Sequence, residues 1–121
     1  MSDAARAYAR VAQTTSSPRE IEAQALLKAA NQLQDVVTNK DQSGERTSAA
    51  LLFNRKLWSI FVSDALRDEN PQPAPIRQQI ANIGIFVLTQ TAALQLDPQV
   101  DQFKPLIDIN RNIAAGLSGR A

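Results

Sequence analysis

Residues 49–66, AALLFNRKLWSIFVSDAL, decide the fold. This stretch lacks Gly and Pro and has good helix formers at both ends, so it predicts a helix. On a helical wheel its apolar side chains cover about twice the arc of an ordinary surface helix. The only cleanly polar wedge is narrow and holds Lys56, Ser59, Ser63 and Arg67. Such a helix must be surrounded by several others, or it must leave apolar surface for a partner.

The rest of the chain supports an all-α protein. The sequence has 121 residues, 44% hydrophobic and 21% charged, which predicts one globular domain over residues 1–121. It contains only four Gly and six Pro, and most of the Pro residues lie near helix boundaries. We therefore predict a compact helical bundle of about four long helices plus a short N-terminal helix.

The helix boundaries follow from capping residues and breaks. Ser2–Gln13 is Ala-rich and predicts the short N-terminal helix, and Ser17-Pro18 has the form of a helix start that runs to about Thr38. Asn39–Ser48 is wholly polar and predicts an exposed, mobile loop. The helix predicted over residues 49–66, which we call the organising helix, ends near Asp68, before a Pro-rich turn.

A further helix is predicted to begin at Pro75. One face collects the apolar residues Ile76, Ile80, Ile83, Val87 and Leu94, whereas Ile85 points the opposite way and Phe86 lies on a flank. Gly84 in its middle predicts the close approach of another helix.

The last helix is expected to begin at Asp97-Pro98 and to be reset at Lys104-Pro105. Within it, Asn110 falls in the apolar stripe, while Arg111 and Asn112 diverge to opposite flanks.

The composition of the chain excludes several classes of function. The chain has no His and no Cys, which excludes disulfides, thiolate nucleophiles, His-based catalysis and the common zinc sites. No paired carboxylates, phosphate loop or metal-ligand cluster is apparent, so we expect no enzyme, no cofactor and no bound metal. The net charge of +1 gives no reason to expect nucleic acid or a membrane as partner. The chain opens without a signal-peptide pattern, so we expect a cytoplasmic protein.

Four residues have both a structural and a functional interpretation. Asn110 could be a buried, hydrogen-bonded residue that sets helix register, or a polar contact to a partner. Asp64 could cap a neighbouring helix or pair with an Arg such as Arg111. Trp58 and Phe61 suit a core, and the alternative is a groove that receives a partner helix.

Four stretches resemble a known family. They are Thr15–Leu27 with its SPRE and LL motifs, Asn54–Asp64 with LWSIFVSD, GIFVL after Ile83, and PLIDINRNIAAGL at Pro105–Leu117. In this order they are similar to the FlaF family of flagellar biosynthesis regulators. The resemblance implies a non-enzymatic role in flagellum biogenesis. It further implies that the protein binds flagellin before export as a chaperone, and that it promotes flagellin synthesis against a partner regulator, FlbT.

The resemblance also marks candidate contact or fold-defining residues: Leu57, Trp58, Phe61, Asp64, Asn110, Arg111 and Asn112. The expected ligand is an amphipathic terminal segment of flagellin, which would lie in an apolar groove. We expect that groove between the organising helix and the helix that begins at Pro75, with Ile85 and Phe86 nearby.

Two alternatives remain open. One is a regulator that binds flagellin messenger RNA directly, although the basic residues are neither clustered nor interleaved with aromatic residues. The other is a structural protein whose surplus apolar surface closes a homo-oligomer. The sequence leaves monomer and homodimer undecided.

Overall fold

The computed structural model describes residue 3 and residues 18–119. Asp3 is helical, and the rest of the predicted N-terminal helix and the Ser17 cap lie outside the described residues. Residues 18–119 form four long helices, which we number α1 (Pro18–Thr38), α2 (Glu45–Ala65), α3 (Ala74–Leu96) and α4 (Lys104–Leu117), with a short 3₁₀ turn at Val100–Gln102. This part of the chain contains no strand, so the predicted all-α bundle is confirmed.

The organising helix α2 begins at Glu45, four residues earlier than the apolar pattern starts. Asp41 in the preceding loop accepts hydrogen bonds at one carboxylate oxygen from the Thr47 backbone N–H (2.7 Å) and hydroxyl (2.8 Å). Because the first N–H groups of a helix have no partner within it, this carboxylate caps α2. Thr47 is consequently buried.

The loop before α2 is more ordered than the predicted mobile segment. Arg46 pairs with Asp35 near the end of α1 and donates to the backbone carbonyls of Asn39 and Lys40. The side chain of Asn39 also donates to the Asp35 carboxylate. These bonds tie the end of α1 to the start of α2. Residues 39–44 form the predicted polar loop, but the predicted range Asn39–Ser48 is too long, because α2 already begins at Glu45.

The last helix begins at Lys104, so only the second predicted start is correct. Asp97 ends α3, and the residues between form the 3₁₀ turn. Phe103, directly before α4, is fully buried and fixes the turn against the core. Pro105 then occupies the first turn of α4, where its missing N–H leaves no bond unmade.

The helices are arranged as two packed pairs. α1 packs along α4 and α2 packs along α3, while a smaller contact between α1 and α2 joins the pairs. The predicted close approach at Gly84 is confirmed, because a Cβ at this position would lie 2.2 Å from Val62 Cγ2 of α2. The core fills the space between the pairs, and its largest fully buried members are Trp58, Phe103, Leu26, Leu33, Leu51, Leu94 and Leu106.

Candidate functional site at one end of the bundle

A chain of buried polar side chains crosses the middle of the core. Trp58 Nε1 donates to Asn110 Oδ1 (2.8 Å), and Asn110 Nδ2 donates to Asn54 Oδ1 (2.8 Å). The Asn54 amide donates to the Thr91 hydroxyl (3.2 Å), which in turn donates to the carbonyl of Val87 (2.6 Å). All four side chains are at most 1% exposed. The network therefore links α2, α3 and α4, and Asn110 has the structural role considered from the sequence.

Trp58 connects this network to a cleft. Its indole N–H points to Asn110, while its ring lines the floor of a cavity of about 820 Å³. The ring of Phe61 stands edge-on to it, with centroids 5.4 Å apart and planes at 89°. This T-shaped contact is a favourable arrangement of two aromatic rings. The cleft floor is thus held by the core.

The cleft lies at one end of the bundle, where the beginnings of α1 and α3 meet the ends of α2 and α4. The turn between α2 and α3 closes one side. Apolar side chains from three helices point into it: Phe61 from α2, Ile76, Ile80 and Ile83 from α3, and Ile113 and Leu117 from α4. Its size and mostly apolar lining are typical of a ligand-binding cleft.

Charged residues of both signs surround the opening: Arg19, Glu22, Asp64 and Arg67. Asp64 pairs with Arg67 (3.0 Å) and accepts a hydrogen bond from the Asn70 side chain (3.2 Å). The alternative in which Asp64 pairs with an Arg is therefore correct, but the partner is Arg67 and not Arg111. Partial burial raises the pKa of Glu22, and the nearby Asp64 charge raises it further. The nearby Arg19 charge acts in the opposite direction and lowers this pKa, so the rim holds both signs of charge close together.

The nine residues singled out from the sequence occupy different places. Trp58, Phe61 and Asp64 line the cleft. Leu57 is half-buried against the core, and Asn110 lies within it. The remaining four are exposed and do not line the cleft: Ile85, Phe86, Arg111 and Asn112. Neither Ile85 nor Phe86 lines the cleft, because Ile85 lies on the side of α3 opposite Ile80 and Ile83, and Phe86 lies on the flank between the two sides.

Sequence reasoning missed two members of the network and one wall of the cleft. On the wheel of α2, Asn54 lies between Trp58 and Phe61, and on that of α3, Thr91 lies between Val87 and Gly84. Because their neighbours on these wheels are inward-facing, the positions of Asn54 and Thr91 indicate that both polar side chains are buried. The contribution of Ile113 and Leu117 to the cleft follows only from the packing of α4.

A second, more open groove of about 710 Å³ runs between α1 and α2. Most of its lining residues are polar, including Gln24, Asn31, Gln32 and Asp35. Beside it, Lys28 Nζ lies 5.1 Å from the centre of the Phe53 ring, a cation–π contact. Because this groove is more open to solvent than the cleft and buries less of a ligand, it is a weaker candidate for a binding site.

Two features are absent from residues 3 and 18–119. No helix there is long and apolar enough to cross a membrane. No group of three or more acidic residues in the same region could hold a metal ion.

Comparison with known proteins connects this architecture to one family. The sequence has no significant match among curated proteins, and none among solved structures. The family model described as flagellar protein FlaF matches residues 4–117, which include every wall of the cleft and the whole polar network. The chain therefore belongs to the FlaF family of flagellar proteins and takes part in flagellar biogenesis.

Proposed function

We propose that this protein binds flagellin in the cytoplasm before export, and that it holds an amphipathic segment of flagellin in the cleft. Family membership supports a flagellar role. The observation that carries the proposal is the apolar cleft at the open end of the bundle, lined by side chains from α2, α3 and α4. An export substrate must be kept from self-association, and covering its apolar face achieves this.

The cleft suits a few anchoring side chains of a helix that lies across it. A cavity of about 820 Å³ is too small for a whole helix, whose diameter with side chains is about 10–12 Å. An amphipathic helix presents apolar anchors at i, i+3 or i+4, and i+7 along one face. In this arrangement the anchors would pack on Phe61, Ile80 and Ile83, and the polar flanks would meet the charged rim.

The mixed charge of the rim favours a peptide over RNA. Arg19 and Arg67 lie near Glu22 and Asp64, so the opening has no continuous positive surface for a phosphate backbone. A helical segment with polar flanks of both signs matches this pattern. Burial first, and then the Asp64 charge, raise the pKa of Glu22, and a basic flank on this side would offset both by favouring the charged carboxylate.

The proposal extends to flagellin synthesis. The resemblance to FlaF proteins implies that the protein promotes this synthesis in opposition to FlbT, and capture of flagellin in the cleft offers a physical route. Flagellin that is bound in the cleft is not available to bind other partners. Direct contact with FlbT would be a separate interaction, detectable by titrating purified FlbT.

The test is a titration of the full-length protein with a cognate flagellin and with peptides from its two termini. Calorimetry measures the heat, and the emission of Trp58 reports on the cleft floor because the chain has a single Trp. We expect saturable heat and a change in Trp58 emission with flagellin and with one terminal peptide. A folded protein that gives neither signal would remove the basis of the proposal.

Two variants of α3 locate the site. Ile76 lines the cleft and is 44% exposed, whereas Ile85 lies off the cleft and is 58% exposed. Ile76→Glu should weaken flagellin binding about tenfold or more, because a charge replaces an apolar contact worth roughly 1.5–3 kcal/mol. Ile85→Glu should leave it unchanged. Equal effects of both variants would place flagellin elsewhere.

A further inference from the structure

Three contacts from three helices hold the indole ring of Trp58 in one orientation. Its N–H donates to Asn110 Oδ1 of α4 at 2.8 Å. A Cβ built at Gly84 of α3 would lie 3.4 Å from Trp58 Cε3, so another edge of the ring packs beside the α3 backbone. Within α2, the ring of Phe61 stands perpendicular to the indole. The ring is therefore fixed on several sides.

The same ring lies directly beneath the cleft. Trp58 lines the cavity of about 820 Å³ and yet is only 1% exposed. The cleft is open to solvent at one end of the bundle, so water reaches the space above the ring. A Trp side chain rotates about two bonds between its staggered positions. Such a rotation would carry the indole from beneath the floor into the cleft and would fill part of it.

The indole N–H decides between these two positions. A buried N–H without an acceptor loses the hydrogen bond that water would otherwise give it. Asn110 supplies the acceptor inside the core, whereas the open cleft offers water. We infer that Asn110 is a positioning residue of the cleft: by accepting the indole N–H, it keeps the ring of Trp58 below the floor and the cleft free for a ligand. The effect on flagellin affinity rests on the proposed function, but the position of the indole does not.

The rest of the polar network orients the Asn110 amide. An Asn side chain has a donor end and an acceptor end. Asn110 Nδ2 donates to Asn54 Oδ1 at 2.8 Å, which leaves the Asn110 oxygen turned to the indole. Thr91 is one bond further away, since its hydroxyl accepts from the Asn54 amide and donates to the carbonyl of Val87. The network therefore contains one member that positions the ring and one that does not touch it.

Asn110→Leu removes the acceptor and tests this role without any ligand. The indole should then divide between its buried position, where the N–H lacks a partner, and the cleft. We expect the emission of the single Trp to shift to longer wavelength and its quenching by acrylamide to increase. Thr91→Val is the matched control, because it breaks the far end of the network and should change neither signal. A folded Asn110→Leu protein with the emission and quenching of the wild type would overturn the inference.

The flagellin titration measures the consequence for binding. An indole that fills the cleft in about two-thirds of the molecules raises the apparent dissociation constant about threefold. We expect Asn110→Leu to weaken binding by about this factor or more, and Thr91→Val to bind like the wild type. A wild-type protein that binds no flagellin would remove the proposed function, while the emission and the quenching would still decide the position of the indole.

A second substitution separates positioning from stability. Trp58→Phe, added to Asn110→Leu, replaces the indole by a ring that has no N–H and no need of an acceptor. Flagellin affinity, measured by calorimetry, should therefore recover in the double variant. A role in stability alone predicts no recovery, because a second truncation in the core only loosens it further. A folded double variant that binds as weakly as Asn110→Leu would overturn the inference.

Hydrogen exchange of the wild-type protein covers the case in which Asn110→Leu does not fold. The chain has one indole N–H, which gives its own NMR signal. We expect this N–H to exchange with deuterium only as fast as the whole protein unfolds, because Trp58 and Asn110 are both at most 1% exposed. Faster exchange through a local opening, with the helices intact, would show that the ring leaves the floor while Asn110 is present, and would contradict the inference.

Discussion

The indole N–H of Trp58 donates a hydrogen bond of 2.8 Å to the side-chain oxygen of Asn110, which lies 52 residues later in the chain. This bond joins the α2–α3 pair to the α1–α4 pair inside the core. Apolar side chains can slide along one another at small cost, but a buried donor needs its acceptor at one position. The bond therefore fixes the relative register of the two helix pairs.

Replacing Asn110 by Leu should destabilise the protein by about 2–5 kcal/mol. The substitution leaves the Trp58 N–H and the Asn54 carbonyl oxygen buried without partners, at roughly 1–3 kcal/mol each. Urea unfolding followed by circular dichroism measures the loss. Asn112→Leu on the exposed side of the same helix is the control and should change the free energy of unfolding by less than about 0.5 kcal/mol. A loss below about 1 kcal/mol for Asn110→Leu would show that water or a rearranged core satisfies the network.

Gly84→Ala should lower the free energy of unfolding by about 1–3 kcal/mol, although Ala is the better helix former. The added Cβ would lie 2.2 Å from Val62 Cγ2, so Val62 must turn to a less favourable rotamer or α2 and α3 must move apart. Gly116→Ala provides the comparison, because a Cβ there meets nothing within 4 Å, and it should stabilise by up to about 1 kcal/mol. Val62→Ala combined with Gly84→Ala should recover part of the loss. An unchanged stability for Gly84→Ala would mean that the helices separate without cost.

Asp41→Ala should destabilise the protein at neutral pH and have little effect in acid. Hydrogen bonds from the backbone N–H and the hydroxyl of Thr47 hold the pKa of Asp41 below its ordinary value of 3.8. A lowered folded-state pKa gives stability that is present above the unfolded value and is lost as the pH falls through the folded one. Thermal unfolding from pH 7 to pH 2 should show the two proteins converging below about pH 3.8. Asp68→Ala in the exposed turn controls for net charge, and a constant difference at every pH would contradict the capping role.

The helices could be predicted from the sequence because periodic apolar residues and Pro-marked breaks are local signals. The predicted start of α2, at residue 49, is four residues too late. Its capping residue, Asp41, is separated from Thr47 by polar residues whose pattern is typical of a loop. Only the folded turn brings the carboxylate to that N–H. Local patterns thus located the helices better than their ends.

The candidate site was only partly predictable for a different reason. Periodicity correctly grouped Ile80, Ile83, Val87 and Leu94 on the inner side of α3, but it could not show which of them line a cleft and which pack into the core. A cleft lies beside Phe61, whereas Ile85 lies on the opposite side of α3 and Phe86 on a flank, and neither of them lines the cleft. Asn54 and Thr91 occupied buried wheel positions, and their polar character concealed them until the hydrogen bonds between them were visible.

The packing of α1 along α4 has a consequence for biosynthesis. α1, the first long helix to leave the ribosome, buries its apolar face mainly against α4, the last helix. Leu26 and Leu33 therefore stay exposed until residues 104–117 have been translated. The α2–α3 hairpin joins neighbours in sequence and can form earlier. Truncation within α4 should therefore leave a nascent chain with an exposed apolar α1, a substrate for proteolysis rather than a smaller stable domain.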